Sequence, residues 1–129
     1  MGYRSDVAAA FYTADKKHFP VLKLWLDENF PWKYFDTDDV EWFDKGMVFR
    51  VESVKWYDSY PDVDAFTEAQ EQFVRLVNAL DEGEDERPVF CYEFVRIGEN
   101  FEDIEATHEG EAVEWILDVE RHVRISIPN

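Results

Sequence analysis

The chain has 129 residues, 17% of them aromatic, and a formal net charge of −17. This length predicts one domain, and so many aromatic residues predict a folded one rather than a disordered acidic segment. Residues 58–129 hold 20 Asp/Glu and 5 Arg, a net charge of −15, whereas residues 1–57 hold 10 Asp/Glu and 8 Lys/Arg, a net charge of −2. Such a charge repels phosphate, which argues against direct binding of nucleic acid.

Neither the N-terminus nor any apolar run indicates a membrane or secretory segment. A basic region followed by an apolar stretch is missing from the N-terminus, and no apolar run approaches the roughly 18 residues of a membrane helix. We therefore expect a soluble cytoplasmic protein.

The single Cys91 excludes an internal disulfide and a cysteine zinc site, and its apolar surroundings predict a buried structural thiol.

The first third of the chain predicts a strand followed by a helix. Arg4–Tyr12 reads as a short strand, and Thr13 or Asp15 then offers a side-chain oxygen that caps a helix. Pro20 fits only the first turn of that helix, and Pro31 ends it. The apolar positions of the helix keep helical spacing: Phe19, Leu22, Leu26 and Phe30.

A hairpin follows the polar and aromatic loop at residues 32–39. Its strands are Val40–Phe43 and Met47–Tyr57, joined at Asp44-Lys45-Gly46, where the glycine is expected to supply the positive φ of a tight turn. The apolar residues of the second strand change parity, which predicts a bulge or bend between Val51 and Val54.

The second half begins with the most regular helical pattern of the chain. An apolar stripe from Val63 to Leu80 predicts a helix after Pro61 that ends near Gly83. A strand over Val89–Ile97, a polar and acidic connection over residues 99–111 and one or two closing strands complete the chain. The order β-α-β-β-α-β-β predicts a single α+β domain, an antiparallel-rich sheet with two helices packed on one face.

No motif predicts a metal site or a cofactor. His18, His108 and His122 lie far apart in the sequence, without the spacing of a transition-metal site. Asp36–Glu41 is superficially similar to a calcium loop, but it lacks the central glycine, and Met47 stands where the final glutamate belongs. Weak cation binding there or within residues 99–111 remains an alternative to a solvated loop.

Catalytic motifs are missing as well. The chain has no nucleophile elbow, no phosphate-binding loop and no dinucleotide fingerprint. A pair of carboxylates could serve a hydrolase as acid and base, yet 30 acidic residues make pairs expected by chance. We therefore predict a protein that is not an enzyme, and keep a small hydrolase with a carboxylate pair as an alternative.

Three stretches of the chain carry a resemblance. They are Met-Gly-Tyr-Arg-Ser-Asp-Val at residues 1–7, Val-Lys-Trp-Tyr at residues 54–57, and Phe-Val-Arg-Ile-Gly-Glu at residues 94–99, followed by Asp-Ile-Glu at residues 103–105. In this order they resemble a group of small proteins encoded by tailed bacteriophages. The resemblance implies a phage origin and a place in the infected bacterial cell, and it implies no chemistry. Small acidic phage proteins often bind and inhibit host machinery.

The acid of residues 58–129 predicts a basic protein partner, most plausibly a nucleic-acid-binding factor of the host. Duplex DNA carries roughly one charge per 100 Å², and these acids, spread over half the surface, would give roughly one per 180 Å². Nucleic-acid mimicry is therefore physically open, beside the simpler alternative that the acid only keeps the protein soluble. The acids assigned to the partner are Asp81, Glu82, Glu84, Asp85, Glu86, Glu99, Glu102, Asp103, Glu105, Glu109 and Glu111.

The aromatic residues support a different hypothesis. Five Trp and six Tyr in a chain of this length are more than the core needs, and Trp and Tyr suit protein interfaces. A structural or self-associating protein, for example a homodimer, is therefore the second prediction.

The acidic turn after the second helix allows a first test. Its carboxylates oppose the helix dipole and repel one another, so the triple change Glu84→Gln, Asp85→Asn and Glu86→Gln should leave the free energy of unfolding unchanged or raise it by about 0.5–1 kcal/mol at low salt. Urea unfolding at low and high salt measures this, and the gain should shrink as salt rises. A loss of more than about 1 kcal/mol would mean that the turn serves the fold.

Overall fold

The computed structural model describes residues 2–81, 89–100, 102–110, 115–119, 123–125 and 127. The helices are α1 (Phe19–Asn29) and α2 (Pro61–Asp81). The strands are β1 (Ser5–Thr13), β2 (Val40–Phe43), β3 (Gly46–Val54), β4 (Phe90–Gly98), β5 (Ile104–Glu109), β6 (Leu117–Val119) and β7 (Val123–Ile125). Short 3-10 turns at Lys16–His18 and Thr37–Asp39 precede α1 and β2.

Five strands form one antiparallel sheet in the order β2-β3-β1-β4-β5. Its first four strands and the two helices have the β-α-β-β-α-β connectivity of the ferredoxin-like split βαβ arrangement. β5 extends this sheet at the β4 edge, while β6 and β7 pair only with each other in the described part of the chain. The predicted α+β architecture is confirmed.

β1 lies in the centre of the sheet and is buried on both faces. Val7, Ala9 and Phe11 point to the core beneath the helices, whereas Ala8 and Ala10 point to a second core on the opposite face. A strand with two buried faces needs no alternation of polar and apolar residues. This explains the uninterrupted apolar run from Val7 to Tyr12.

Both helices pack on one face of the sheet, as predicted, and aromatic side chains make many of the contacts. The ring of Phe11 lies 5.1 Å from Phe73 of α2 and 5.9 Å from Phe30, which follows α1. Both pairs adopt the edge-to-face geometry that the ring quadrupole favours. Pro20 lies in the first turn of α1, and α1 ends before Phe30, whose extended conformation suits a residue that precedes proline.

A buried carboxylate anchors the C-terminal segment on the other face. Glu93 of β4 is completely buried, and its carboxylate accepts hydrogen bonds from the hydroxyl of Tyr12 and from the backbone N–H groups of Ile116 (3.0 Å) and Leu117 (2.8 Å). Burial, together with the hydrogen bond to Glu93, raises the pKa of Tyr12, which therefore remains a donor. Cys91 is also buried in this core, as predicted.

The acidic connection predicted over residues 99–111 is wrong, because Ile104–Glu109 forms β5. Its six side chains are exposed or half-buried, so the sequence shows no apolar alternation. The strand exists through its backbone pairing with β4, in which Ile97 lies opposite Ile104 and Tyr92 opposite Glu109. An edge strand of this kind carries little pattern for sequence reasoning to detect.

The role expected of Gly46 is also wrong. In the described part of the chain only Gly110 has a positive φ among the glycines. A Cβ at Gly46 would instead collide with the carbonyl oxygen of Phe11 and the side chain of Tyr12, so the glycine permits close approach of β3 to β1. The predicted bulge is confirmed between Val51 and Val54, where β3 holds one residue more than β1.

The anchor at Glu93 allows a test of the fold. Glu93→Ala removes the acceptor of three buried donors, and each unpaired donor costs roughly 1–3 kcal/mol. We expect Glu93→Ala to lower the free energy of unfolding by about 3 kcal/mol or more, and Tyr12→Phe to lower it by about 1–3 kcal/mol. Urea unfolding measures both, with Glu41→Ala on exposed β2 as a control expected within about 0.5 kcal/mol of wild type. A change of less than 1 kcal/mol in Glu93→Ala would contradict the anchor.

Candidate functional site

The described acids of the predicted partner site gather at one edge of the sheet. Glu99, Glu102 and Asp103 lie at or after the end of β4, and Glu105 and Glu109 lie on β5. Glu99, Glu102 and Glu105 are exposed, while Asp103 and Glu109 are half-buried. The β4–β5 hairpin therefore brings these five residues together.

The other predicted acids fall outside the description. Asp81 is the last residue of α2, but the structure does not describe its side chain. The remaining five lie outside the described residues: Glu82, Glu84, Asp85, Glu86 and Glu111. Their part in a partner site stays a prediction.

A cleft of about 480 Å³ opens beside β5. This volume falls within the roughly 300–1,000 Å³ typical of ligand sites. Its walls come from the N-terminal segment, from the chain between β3 and α2, from α2 and from the hairpin of β4 and β5. The residues lining it are Tyr3, Trp56, Tyr57, Asp58, Phe66, Thr67, Gln70, Phe94, Arg96, Asp103, Glu105 and Thr107.

The strand register determines which side chains face this cleft. Arg96 lies opposite Glu105 and Phe94 lies opposite Thr107. Because side chains alternate between the faces of a strand, these four residues share the face that carries the helices. α2 packs on this face and contributes Thr67 to the lining.

Arg96 is neutralised within the protein. Its Nε and Nη2 donate to Oε1 of Glu105 at 3.0 and 2.8 Å, and Nη2 also donates to Oδ1 of Asp103 at 2.7 Å. Nη1 donates to Oδ2 of Asp103 and to the hydroxyl of Ser5, both at 3.1 Å. Since a guanidinium has five N–H donors, every donor has an acceptor. The hydrogen bond to Asp103 is the main cause that raises the pKa of Arg96.

Asp103 and Tyr3 join the N-terminal segment to this network. The Tyr3 hydroxyl donates to Asp103 at 2.7 Å and accepts from the backbone N–H of Asn100 at 2.9 Å, while the backbone N–H of Tyr3 donates to the hydroxyl of Tyr57 at 2.6 Å. The hydrogen bond from Arg96, followed by the one from Tyr3, holds the pKa of Asp103 below its usual range. Asp103 is therefore engaged within the protein, unlike the exposed Glu102.

Residues 1–7, 54–57 and 94–105 each contribute to this end of the sheet. Tyr3 belongs to the first, Trp56 and Tyr57 to the second, and Arg96 and Asp103 to the third, and all five line the cleft. Gly98 of the third stretch has no space for a Cβ, which would collide with the Tyr3 hydroxyl and the Asp103 carboxylate. The three stretches thus have a common structural purpose.

The sequence interpretation missed the cleft itself. The sequence alone predicts an interface role for the Trp and Tyr residues in general, Trp56 and Tyr57 among them, and it places neither Asp58 nor Arg96 in a site. A signal did exist for Arg96, because it is one of only 5 Arg after residue 57 and stands within an apolar strand. A charge in such a position needs partners.

The cleft combines negative charge with aromatic walls. Within the described part of the lining, Asp58, Asp103 and Glu105 contribute three carboxylates against the guanidinium of Arg96, a formal charge of −2. The aromatic residues in the lining are Tyr3, Trp56, Tyr57, Phe66 and Phe94. Carboxylates and ring faces both attract cations, so the lining favours a positively charged ligand.

Two alternative chemistries receive no support from the described residues. Asp36 accepts from the backbone N–H of Thr37, and Asp39 accepts from that of Asp36, so the calcium-like loop uses these carboxylates to cap a 3-10 turn. Among the described residues no group of three or more His, Cys, Asp or Glu could hold a metal ion. Near Arg96, the pKa of Asp103 is lowered, the reverse of the raised pKa expected of the acid in a catalytic pair.

The comparisons with known proteins give no relative for this chain. No protein-family model matches it, and neither a curated protein nor a solved structure is significantly similar. Within its described residues, no helix has the length and hydropathy needed to cross a membrane.

The pKa of Asp103 predicts a pH dependence of stability. Because this pKa is lower in the folded protein than in the unfolded chain, the ion pair with Arg96 stabilises the fold fully above the ordinary carboxyl range near pH 4. That stabilisation is lost as the pH falls through the lowered pKa. Asp103→Asn should therefore lower the free energy of unfolding at neutral pH. It should also reduce the further loss of that free energy as the pH falls.

Unfolding in urea from about pH 7 to about pH 2 measures this dependence. Asp38→Asn is the matched control, since it removes an exposed carboxylate near the opposite edge of the sheet. Parallel curves for wild type and Asp103→Asn would contradict the assigned pKa shift.

Proposed function

We propose that the protein is a non-enzymatic acidic binding protein that engages a basic protein. The partner is a nucleic-acid-binding factor of the host, and the carboxylates occupy the surface on which that factor binds phosphates. The phage resemblance motivates the choice of a host factor. The observation that carries the proposal is the gathering of acid along the β4–β5 hairpin, where Arg96 is already neutralised.

The negative surface has a defined beginning. Glu99 accepts a hydrogen bond from the backbone N–H of Arg4 at 2.8 Å, and Arg4 and Lys55 lie beside it around a common depression. These two cations offset the charge of Glu99. The surface proposed for the partner therefore starts at Glu102 and continues along β5 to Glu109.

β5 presents its carboxylates in a way that suits a basic surface. Glu105 and Glu109 lie on the same face of the strand, about 13 Å apart at 3.3 Å per residue. The strand stands at the edge of the sheet, and its charged residues disfavour pairing with a neutral strand. A partner rich in Lys and Arg is attracted by the same charges, with an association rate that depends on salt.

A capture experiment tests this function with variants of equal charge. The tagged full chain is incubated with bacterial lysate at about 50 mM and about 500 mM salt, because screening weakens contacts between exposed charges. Glu102→Gln/Glu109→Gln removes two acids from the proposed surface, and Glu28→Gln/Glu41→Gln removes two exposed acids elsewhere. Both pairs of changes reduce the net charge from −17 to −15.

We expect a basic nucleic-acid-binding protein to be recovered at low salt and lost at high salt. Recovery should fall at least threefold with Glu102→Gln/Glu109→Gln and remain at the wild-type level with the control. If no basic protein is recovered at low salt, or if both double variants lose it equally, the proposed surface is wrong.

A second candidate function is self-association through aromatic residues near β2. Trp42 on this edge strand is 36% exposed and stacks against Trp32 with ring centroids 6.4 Å apart. Leu24 on α1 and Tyr34 are more exposed still. Lys23 lies over the ring of Trp42 at 5.0 Å, which covers part of this surface. Sedimentation of a salt-insensitive dimer, converted to monomer by Trp42→Ser, would favour this function.

A further inference from the structure

We propose that the cleft between α2 and the β4–β5 hairpin receives an arginine side chain of the basic partner. This inference rests on the proposed function, because it names the group of the partner that the site recognises. The proposed function involves a general attraction between opposite charges, and the cleft would add a specific binding pocket for one side chain of the partner.

The ligand of this cleft is a cation rather than an anion. Among the described residues that line the cleft, Arg96 is the only cationic one, and its five donors already bind Asp103, Glu105 and Ser5. An incoming phosphate or carboxylate would therefore find no donor on Arg96 and would face described lining residues with a formal charge of −2.

Two carboxylates remain to bind the incoming cation. Both bonds from Arg96 to Glu105 end on Oε1, so Oε2 retains its capacity to accept, and the side chain is 60% exposed. Asp58 also lines the cleft and is exposed. A guanidinium, which offers several donors in one plane, can contact a carboxylate and still expose its flat face to a ring.

The aromatic walls favour arginine over lysine. Trp56 and Tyr57 are half-buried, and the rings of Tyr57 and Tyr60 meet edge to face at 5.1 Å. Guanidinium groups stack on aromatic faces, and they are more weakly hydrated than an ammonium group. Arginine therefore loses less hydration when it enters a cleft of this composition.

The cleft is held open by contacts within the protein. Gln70 in its wall accepts a hydrogen bond from the hydroxyl of Tyr92 at 2.7 Å, and burial raises the pKa of Tyr92, so that this donor stays protonated. Trp56 packs edge to face against Phe66 at 5.4 Å. A site that is already formed binds its ligand with a smaller loss of conformational entropy.

Two peptides of equal length and charge test the inference. The probes are acetylated, amidated peptides with four Gly-Arg or four Gly-Lys repeats, titrated calorimetrically into the full-length protein at low salt. Thr67→Arg places a guanidinium in the wall of the cleft, while Gln72→Arg makes the same change in charge on the exposed face of α2, outside the lining. Arginine is a good helix former, so both variants suit α2.

We expect the wild type and Gln72→Arg to bind the arginine peptide at least fivefold more tightly than the lysine peptide. In Thr67→Arg this preference should fall below twofold. As a second variant, Asp58→Asn should bind the arginine peptide at least threefold more weakly than the control Glu41→Gln does. Thermal unfolding of each variant verifies its folding before titration.

Equal affinity of wild type for the two peptides, or equal effects of Thr67→Arg and Gln72→Arg, would overturn the arginine pocket. In that case salt-dependent binding of both peptides would still support the proposed function. Failure of the wild type to bind either peptide at low salt would overturn both proposals.

Discussion

The hydrogen bonds of Arg96 hold one end of the sheet together and set the charge of its cleft. They join β4 to β5 through Glu105, to the loop before β5 through Asp103 and to the start of β1 through Ser5. Asp103 in turn binds Tyr3. Because these partners saturate the guanidinium, the one cation found in the described part of the lining is unavailable, and the surrounding carboxylates determine what the cleft attracts.

β4 carries the two polar anchors of the fold on its opposite faces. Arg96 points to the side of the helices, whereas Glu93 points to the side covered by Ile116 and Leu117. Each anchor is a charged group whose burial requires partners from distant parts of the chain. Ile116 and Leu117 of the C-terminal segment therefore cover this face of β4.

Sequence reasoning succeeded where the core produced a periodic pattern. The stripe of α2 followed from apolar spacing, and the packing of both helices on one face followed from the order of the elements. The bulge in β3 followed from a change of parity after Val51. β5 was missed because its exposed residues, from Ile104 to Glu109, bury too little to leave a pattern. The pairing of Glu93 with amides more than twenty residues away is a tertiary contact that local spacing does not encode.

Local sequence patterns could not predict the cleft either, because it too is formed by tertiary contacts. Tyr3, Trp56, Thr67 and Arg96 come from four separate parts of the chain and meet only through the strand order. The composition does show that acidic residues outnumber basic ones in residues 58–129. It did not reveal that Arg96 is neutralised internally, nor that aromatic rings stand beside the acid, and these two facts turn general acidity into a specific preference for arginine.

A measurement of the electrostatic potential inside the cleft is the most direct test of the claim that the cleft attracts cations. This potential is measured by nuclear magnetic resonance, from the paramagnetic relaxation that a cationic and an anionic nitroxide cause at individual protons of the free protein. We predict that the cationic probe relaxes the protons of Thr67 and Thr107 more than the anionic probe does. The ratio of the cationic to the anionic relaxation rate should be larger for these protons than for the amide protons of Lys17 and Lys33. Equal relaxation by both probes, or stronger relaxation by the anionic one, would contradict the claim that the cleft is a cation site.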